Sequence, residues 1–491
     1  MTRGYANPIP VLSVTLILTE SPGTARRLQD RLPSACGLGD MPVCMATLGY
    51  VLVPPDTLHP LALRLDDAGS LQEDRIVRHP DVLRRILVAA QQADHIVLAT
   101  DPDEEGEVIA QDLAMIFTES GLAGGKFGDV PATRLRLYGL DDASIRDACE
   151  AAESVHLSTM AYDWPPALPG HTRRMMDRWI AGSLGSPEQP VGRVIAGFLE
   201  AAQREERYVV PTLALAGCSL AGCSPSGVPA HLGDLLLADE LMDTSVQGIT
   251  GALQGLYEAG RVSYPRTDSH DLVARHQHSH TALHLLGTPS QKAEIRDMAY
   301  MEPPRMPLET RILCAVARRE MAATGEDVFP PKAAQAADPV RHLQNLRERA
   351  VLRVLLAQGL GRPSTWTAFA TRHAGWMTPC QGATHDGRLS PQGIRMAAHQ
   401  PEGLGLPFQR AIRTFLEGLA PCKGLAPGTG LPDKGDTMAA GRHAVDALQW
   451  LDEASQRRMM ESIGREPGTE RDWRDDLRKA NTPNTDFGLQ S

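Results

Sequence analysis

Two runs of consecutive apolar residues stand out in the first hundred positions. Residues 13–19 (SVTLILT) and 95–100 (HIVLAT) lack the polar alternation of a half-exposed strand. Such runs suit parallel strands covered on both faces. After the first, Ser21-Pro22 opens a helical pattern that continues to about Leu32, with proline at an early helical position. After the second comes an acidic turn, then a helical pattern through Ile116. A further strand is expected over 134–138 and a helix over 141–152. This alternation predicts a doubly wound α/β domain over about 11–150. From 165 to 207 the period is helical and carries Arg173, Arg174, Arg178 and Arg193. Residues 208–235 are rich in Gly, Ser, Pro and Val, which predicts irregular strands and turns. Helices are expected over 246–260, ended by Gly260, and over 310–323 and 343–358. Beyond about 463 the chain is polar with Gly, Pro and Asn, which predicts a loose tail.

Composition narrows the class. The 491 residues suggest about three domains. With 42% hydrophobic and 22% charged residues the chain is an ordinary globular one, neither wholly disordered nor fibrous. The net charge, 49 basic minus 60 acidic, is −11. That excludes a uniformly basic nucleic-acid coat and leaves room for a locally basic groove. The eight cysteines are scattered and form no C-x-x-C pair, so neither a zinc ribbon nor a small disulfide scaffold is indicated, and a reducing cytoplasm is expected. No apolar run approaches the ~18 residues of a membrane span. The short run Val11–Leu18 lacks a basic cluster before it and a small-residue cleavage site, and reads as a buried strand.

The strongest local signal is LATDPDEEGEVIA, residues 98–110. Asp101, Asp103 and Glu105 sit where an apolar strand ends, the place where open α/β sheets carry their sites. Acids this close repel one another unless a cation intervenes, and hard oxygen ligands with open positions suit Mg²⁺. Glu20 ends the first strand and meets this cluster if the two strands are neighbours. The same acids also suit the solvated start of a helix. A second signal is LYEAGRVSYPRTDS, residues 256–269. Pro265 biases Tyr264 towards an extended backbone, which would put Arg266 on the same face. A guanidinium there can lower the phenol pKa and hold a phosphate through two hydrogen bonds, as a tyrosine nucleophile needs. Taken alone, the pair also fits a packed tyrosine and a surface arginine. Residues 340–373 carry six arginines (341, 347, 349, 353, 362, 372) against Glu348, with Trp366 among them. Basic charge with an aromatic suits a single nucleic-acid strand, and equally a solvated helix with Trp366 as core. His276, His278, His280 and His284 allow a metal site or a loop of solvated histidines.

Together these segments resemble the type IA DNA topoisomerases, nearest to the topoisomerase III branch. ILTESPGTARRL (17–28) resembles the family's opening strand, and DPDEEGE (101–107) the metal-binding signature of the Toprim domain. RRMMDRWIAGSLGSPEQPVGRV (173–194), YPRTDS (264–269), HTALHLL (280–286), GLGRPSTW (359–366) and LSPQG (389–393) follow in the family's order. The resemblance implies a multidomain α/β plus α-helical protein. A Toprim (Rossmann-like) domain would be joined to helical DNA-binding domains and a β-containing arch, closing a toroid. It implies a Toprim domain over 11–151, a first helical DNA-binding part over 152–207, an abbreviated arch segment over 208–245, and the arch return with the second helical DNA-binding part over 331–420. A nucleophile domain over 246–330 and a C-terminal extension over 421–491 would complete it. It further implies that Tyr264 attacks DNA and holds a 5′-phosphate, that Arg266 orients it, and that Glu20 handles proton transfer to the leaving 3′ oxygen. Glu20, Asp101, Asp103 and Glu105 would bind Mg²⁺, and Arg193, His280, Arg362 and Thr365 would contact a single strand. The implied reaction is ATP-independent strand passage that relaxes or decatenates DNA, by a monomer without membrane contact. No G-x-x-x-x-G-K-[ST] loop occurs, in keeping with that.

The chain departs from the family at marked positions. A lysine is usual just after the first motif's Glu, whereas Ser21 and Thr24 stand there, with Arg26 and Arg27 as the nearest basic residues. Glu104 stands where Arg is common, Tyr50 where His is common, and Ile195 where Gln is common. Two alternatives therefore stay open. One is a catalytically weakened homologue that binds single-stranded DNA. The other is a Toprim nuclease that uses metal-activated water.

Overall fold

The computed structural model describes residues 14–35, 41–55, 62–120, 131–207, 229–271, 281–300, 306–326, 328, 338–379, 387–419, 437–463, 473–474 and 477. Its main sheet has five strands in the order Met41–Ala46, Val14–Thr19, His95–Leu98, Ala132–Arg134, Glu153–Val155. The first four run parallel and the last, an edge strand, antiparallel. Both apolar runs are central strands, and the sheet is covered on both faces. Leu16, Leu18, Ile96 and Leu98 enter one core with Leu83 and Val108, while Ile17 and Val97 enter another with Leu28 and Ile145. That division is the period of two that a strand imposes. The expected strand over 134–138 is instead Ala132–Arg134, because its partner ends where Leu98 pairs with Arg134. The helices Pro22–Ala35, Pro80–Gln92, Glu104–Glu119 and Asp142–Glu150 flank the sheet.

The helical pattern of 165–207 resolves into Leu168–Leu184 and Arg193–Arg207, interrupted over Gly185–Gly192 where Pro187 and Pro190 cannot continue a helix. One core runs from Ile17 of the sheet through Leu253 of helix Val246–Glu258 to Leu355 of helix Pro339–Ala357. The segment that carries Tyr264 is thereby built onto the sheet domain. Residues 208–228 lie outside the described residues. The remainder of that stretch holds a short helix, Leu232–Leu236, buried in this core. Two of the residues left open between a nucleic-acid strand and a structural role are structural. Trp366 is buried and donates its indole N–H to the Leu360 carbonyl at 2.9 Å. Arg349 is buried and donates to the carbonyls of Leu241 and Thr244 at 2.8 and 3.0 Å.

The C-terminal part also differs from expectation. Trp473 and Leu477 are buried in the core that holds Leu16 and Leu98, and Arg474 Nε meets Glu119 at 3.0 Å. Polarity of the surrounding residues hides this pair, which stands four apart and so on one helical face. Among the described residues no helix is long and apolar enough to cross a membrane. Cys44 and Cys314 are free thiols, whereas Cys149 is disulfide-bonded, a pairing the scattered cysteines do not announce.

Candidate active site

The site forms where two neighbouring strands end. Leu18 lies opposite Leu98, so Glu20 and Asp101 leave the sheet side by side. The Asp101 backbone N–H donates to Glu20 Oε1 at 3.0 Å. The acidic turn then starts a helix in which Asp103 is the N-cap, its Oδ1 accepting from Gly106 N at 2.8 Å. Gly106 is required by close approach, since a Cβ there would sit 2.0 Å from the Asp101 carbonyl oxygen.

Tyr264 arrives from the other side of the molecule. Helix Val246–Glu258 ends at Gly260, whose φ of +66° suits glycine and whose Cα faces the Leu140 carbonyl closely. Val262 then makes an isolated bridge with Leu285, and the Tyr264 N–H donates to the Tyr138 carbonyl at 2.8 Å. The Tyr264 ring packs edge-on against Tyr257 at 5.6 Å. Its hydroxyl donates to Asp103 Oδ2 at 2.8 Å and lies 3.2 Å from Asp101 Oδ2. Arg266 shares that face, with Nη2 3.2 Å from Asp101 Oδ2 and Nη1 3.6 Å from Asp103 Oδ2.

Electrostatics here are dominated by burial. Burial, then Asp101 and Asp103, push Glu20 well above the usual carboxylate range. Burial also raises Asp101 to about 6, with Arg266 opposing and Asp103 adding to the rise. Tyr264 departs from the sequence expectation of a lowered pKa. Burial and the two aspartates raise its phenol well above the ordinary value, and Arg266 opposes them with a smaller effect. The tyrosine therefore rests protonated, donating to the acids.

A second set of contacts lies on the acidic turn's other residues. Glu104 Oε1 meets Arg362 Nη2 at 2.9 Å and its Oε2 meets Arg173 Nε at 3.4 Å. Glu105 accepts from Ser364 Oγ at 3.3 Å and lies 3.8 Å from Arg173. Of the four acids assigned to a metal, the structure thus gathers Glu20, Asp101 and Asp103 around Tyr264, while Glu105 contacts the arginine side. Beside these lies a cleft of about 280 Å³ lined by Arg173, Arg193, Arg362, Arg372, Arg410 and Arg413, with Asp177 among them. Arg193 is held by Asp177 at 2.8 Å, and its Nη1 donates to Gln409 at 3.2 Å. Thr365 lines the cleft and exchanges hydrogen bonds with the Arg362 backbone, its hydroxyl accepting from N–H at 3.1 Å and donating to C=O at 2.9 Å. His280 lies outside the described residues.

The Toprim domain family matches residues 15–134, which contain the first two strands, Glu20 and the acidic turn. Over 348 residues the chain is 23% identical to the protein named reverse gyrase 2 of Aquifex aeolicus, covering 54% of this chain and 29% of that one. It is 30% identical over 137 residues to DNA topoisomerase 1 of Xylella fastidiosa, covering 28% and 15%. A third relative is DNA topoisomerase 1 type prokaryotic of Acanthamoeba polyphaga mimivirus, 28% identical over 188 residues and covering 38% and 19%. The chain is a type IA topoisomerase-like protein. It spans less than a third of the length of each of these relatives.

Several features of this topoisomerase-like site escape sequence reading. Arg134 is fully buried and donates to Glu107 (2.9 and 3.2 Å) and to the carbonyls of Leu98, Thr100, Leu135 and Asp101, so it laces the strand ends beneath the acidic turn. Nothing in the sequence marks it beyond a charge at a strand end. Ser21, one of the two positions where the resemblance leads to a lysine, donates to Glu258 at 2.7 Å, and its hydroxyl also meets Thr24 Oγ1, the other position, at 3.1 Å. Arg26 Nε donates to the Pro22 carbonyl at 3.3 Å and Arg27 Nε to the Leu140 carbonyl at 3.0 Å. Tyr50 packs under the Arg174 guanidinium at 4.9 Å, and burial pushes its phenol up. Of the four clustered histidines only His284 is described, and its Nδ1 bonds the Ala282 carbonyl at 3.0 Å. His231, Asp234 and His270 do gather ligand atoms. There His231 Nδ1 accepts from Asp234 N at 3.1 Å and Asp234 accepts from His231 N at 2.9 Å, a helix cap that accounts for that pair, while His270 Nδ1 bonds the Pro229 carbonyl at 2.8 Å.

Proposed function

We propose that this chain cleaves one DNA strand through a 5′-phosphotyrosine, passes a strand and reseals, relaxing or decatenating DNA without ATP. The observation that carries this is the Tyr264 hydroxyl, bonded to Asp103 and facing Asp101, with Arg266 across the same two acids. In the proposed step the bond from Tyr264 Oη to phosphorus forms and the P–O3′ bond breaks. The phenolic proton goes to the Asp101–Asp103 pair. Glu20, whose protonated form burial and the neighbouring aspartates favour, gives its proton to the leaving 3′ oxygen. Arg266 turns from the acids to the phosphate. The P–O energy is conserved in the phosphotyrosine, so resealing needs no ATP. The arginine-lined cleft would take the single strand, with Arg193, Arg362 and Thr365 as contacts, and His280, outside the described residues, keeps the strand contact that the resemblance implies. Helical DNA-binding segments and an arch closing a toroid, in a monomer acting in the cytoplasm, belong to the same reading.

Toprim domains are typically metal-binding, usually with Mg²⁺. The residues fit such an ion: Asp101 and Asp103 each turn an oxygen to one point, Glu20 adjoins them, and all are hard donors. A bound Mg²⁺ would supply positive charge beside the phosphate. Two raised carboxyls, with Arg266 as the cation beside Asp101, are what such charge would relieve. Folding favours the protonated Asp101, since about 6 lies above its unfolded value. The stability present below that unfolded value is therefore lost as pH rises through about 6. A cation restores part of it only once the acids ionise. Mg²⁺ is thus expected to raise the Tm by at least about 2 °C at pH 8 and by much less at pH 5. Scanning calorimetry with and without EDTA checks this. Equal shifts at both pH values would contradict the metal assignment.

Covalent trapping tests the reaction. A 3′-end-labelled single strand is incubated with the protein and Mg²⁺, denatured and digested, and the label is expected on the peptide containing Tyr264. DNA binding without an adduct would favour the weakened homologue, which the Ser21–Glu258 pair in place of a lysine supports. Nicked DNA without protein linkage would favour the nuclease.

A further inference from the structure

Glu104 places a carboxylate between two arginines of the cleft. Arg173 comes from helix Leu168–Leu184, and Arg362 from the N-cap of helix Pro363–His373. Glu104 Oε1 takes Arg362 at 2.9 Å and Oε2 faces Arg173 Nε at 3.4 Å. The second contact is incomplete, since both Glu104 Oε2 and Arg173 Nε are buried and make no hydrogen bond. Arg173 is 9% exposed and has given up most of its water. Two guanidiniums converging on one anion, one poorly bonded, describe a site whose anion is exchangeable.

We propose that Glu104 stands in for a DNA phosphate. It holds Arg173 and Arg362 in place while the cleft is empty and is displaced when the backbone of a single strand enters. This rests on the reading of the cleft as a single-strand site. A phosphate offers a tetrahedral set of charged oxygens that two guanidiniums can each grip. The carboxylate cannot remain beside it, because like charges at contact distance repel strongly in a partly dried cleft. Every strand that binds must therefore first expel Glu104. The affinity is lowered for any single strand, and the arginines are kept ordered and neutralised until one arrives.

The test is equilibrium binding of the full chain to a fluorescent single-stranded oligonucleotide, followed by anisotropy in EDTA so that no cleavage intervenes. Glu104→Gln is expected to bind about ten-fold tighter than the unaltered chain at low salt, with the gain shrinking as salt screens the repulsion. Glu104→Asp, which keeps the charge but withdraws it by one methylene, is expected to fall between the two. Asp81→Asn removes the same charge at an exposed position whose ion pair lies outside the cleft, and is expected to bind as the unaltered chain does. The gain is expected to vanish in Glu104→Gln/Arg362→Gln. Unchanged or weaker binding by Glu104→Gln, with the unaltered chain binding well, overturns the proposal alone. Absence of binding by all variants overturns the single-strand reading, and the proposal with it. An equal gain in Asp81→Asn would mean net charge is responsible and would also overturn it.

Discussion

Tyr264→Phe is expected to lose the covalent DNA adduct completely and to lower Mg²⁺-dependent relaxation of negatively supercoiled plasmid by at least about 10³-fold. The substitution removes one oxygen and leaves the ring, which is buried and packed edge-on against Tyr257. Phenylalanine keeps that shape. The oxygen's partners, Asp101 and Asp103, retain Arg266 at 3.2 and 3.6 Å, so neither acid is left unpaired. The loss should therefore be one of chemistry and leave folding and DNA binding intact. A melting curve and the binding assay check this. The phenol also bonds Asp101 and helps hold its pKa down. The variant's Asp101 should thus titrate somewhat higher, which proton-resolved spectroscopy of a labelled chain can follow. Full relaxation by Tyr264→Phe would remove Tyr264 from the mechanism. Nicking without linkage would transfer the chemistry to water.

What the sequence made legible follows from where chain order and spatial order agree. Two unbroken apolar runs require parallel strands covered on both faces, and their ends bring Glu20 and Asp101 together once the strands are neighbours. Tyr264 and Arg266 reach the same two acids, as their spacing suggests, although the backbone bends at Pro265 and Arg266 and does not run extended. The meeting of Tyr264 with Asp103 spans 161 residues, and no local pattern reports it; only the order of several motifs did. The direction of the tyrosine's pKa was missed for a related reason. The adjacent guanidinium is visible in sequence, whereas the burial that outweighs it arises from packing. The same holds at Trp366 and Arg349, where burial separates a core role from a surface one. Trp473 and Leu477 were hidden by polar neighbours, since two apolar residues four apart are too few to establish a period.

Arg134→Met is expected to lower the free energy of unfolding by about 3–5 kcal/mol, the cost of removing one partner of a buried ion pair whose guanidinium also serves four backbone carbonyls. Arg134 is 0% and Glu107 6% exposed, and Glu107 is shared with Arg136 at 2.7 Å and with the Trp164 indole at 2.9 Å. Burial alone would push the Glu107 carboxyl up, but Arg134 and Arg136 overcome it and hold the group at about 2. Its folded pKa is therefore depressed. The stability it contributes is present above the unfolded value near 4.3 and is lost as pH falls through about 2, a difference of about 3 kcal/mol. Urea unfolding at pH 7, 4 and 3 should show this loss, and Glu107→Gln should be weaker at pH 7 with a shallower acid limb. The effect should reach the site as well. Arg134 holds the Thr100 and Asp101 carbonyls at 2.9 Å, so it fixes the turn from which Asp101 and Asp103 meet Tyr264. Arg134→Lys keeps a charge but cannot span Glu107 and these carbonyls together. It is expected to restore part of the stability while adduct formation stays impaired. Equal recovery of both would reduce Arg134 to a stabilising residue; recovery of stability alone would identify it as the residue that positions the acidic turn.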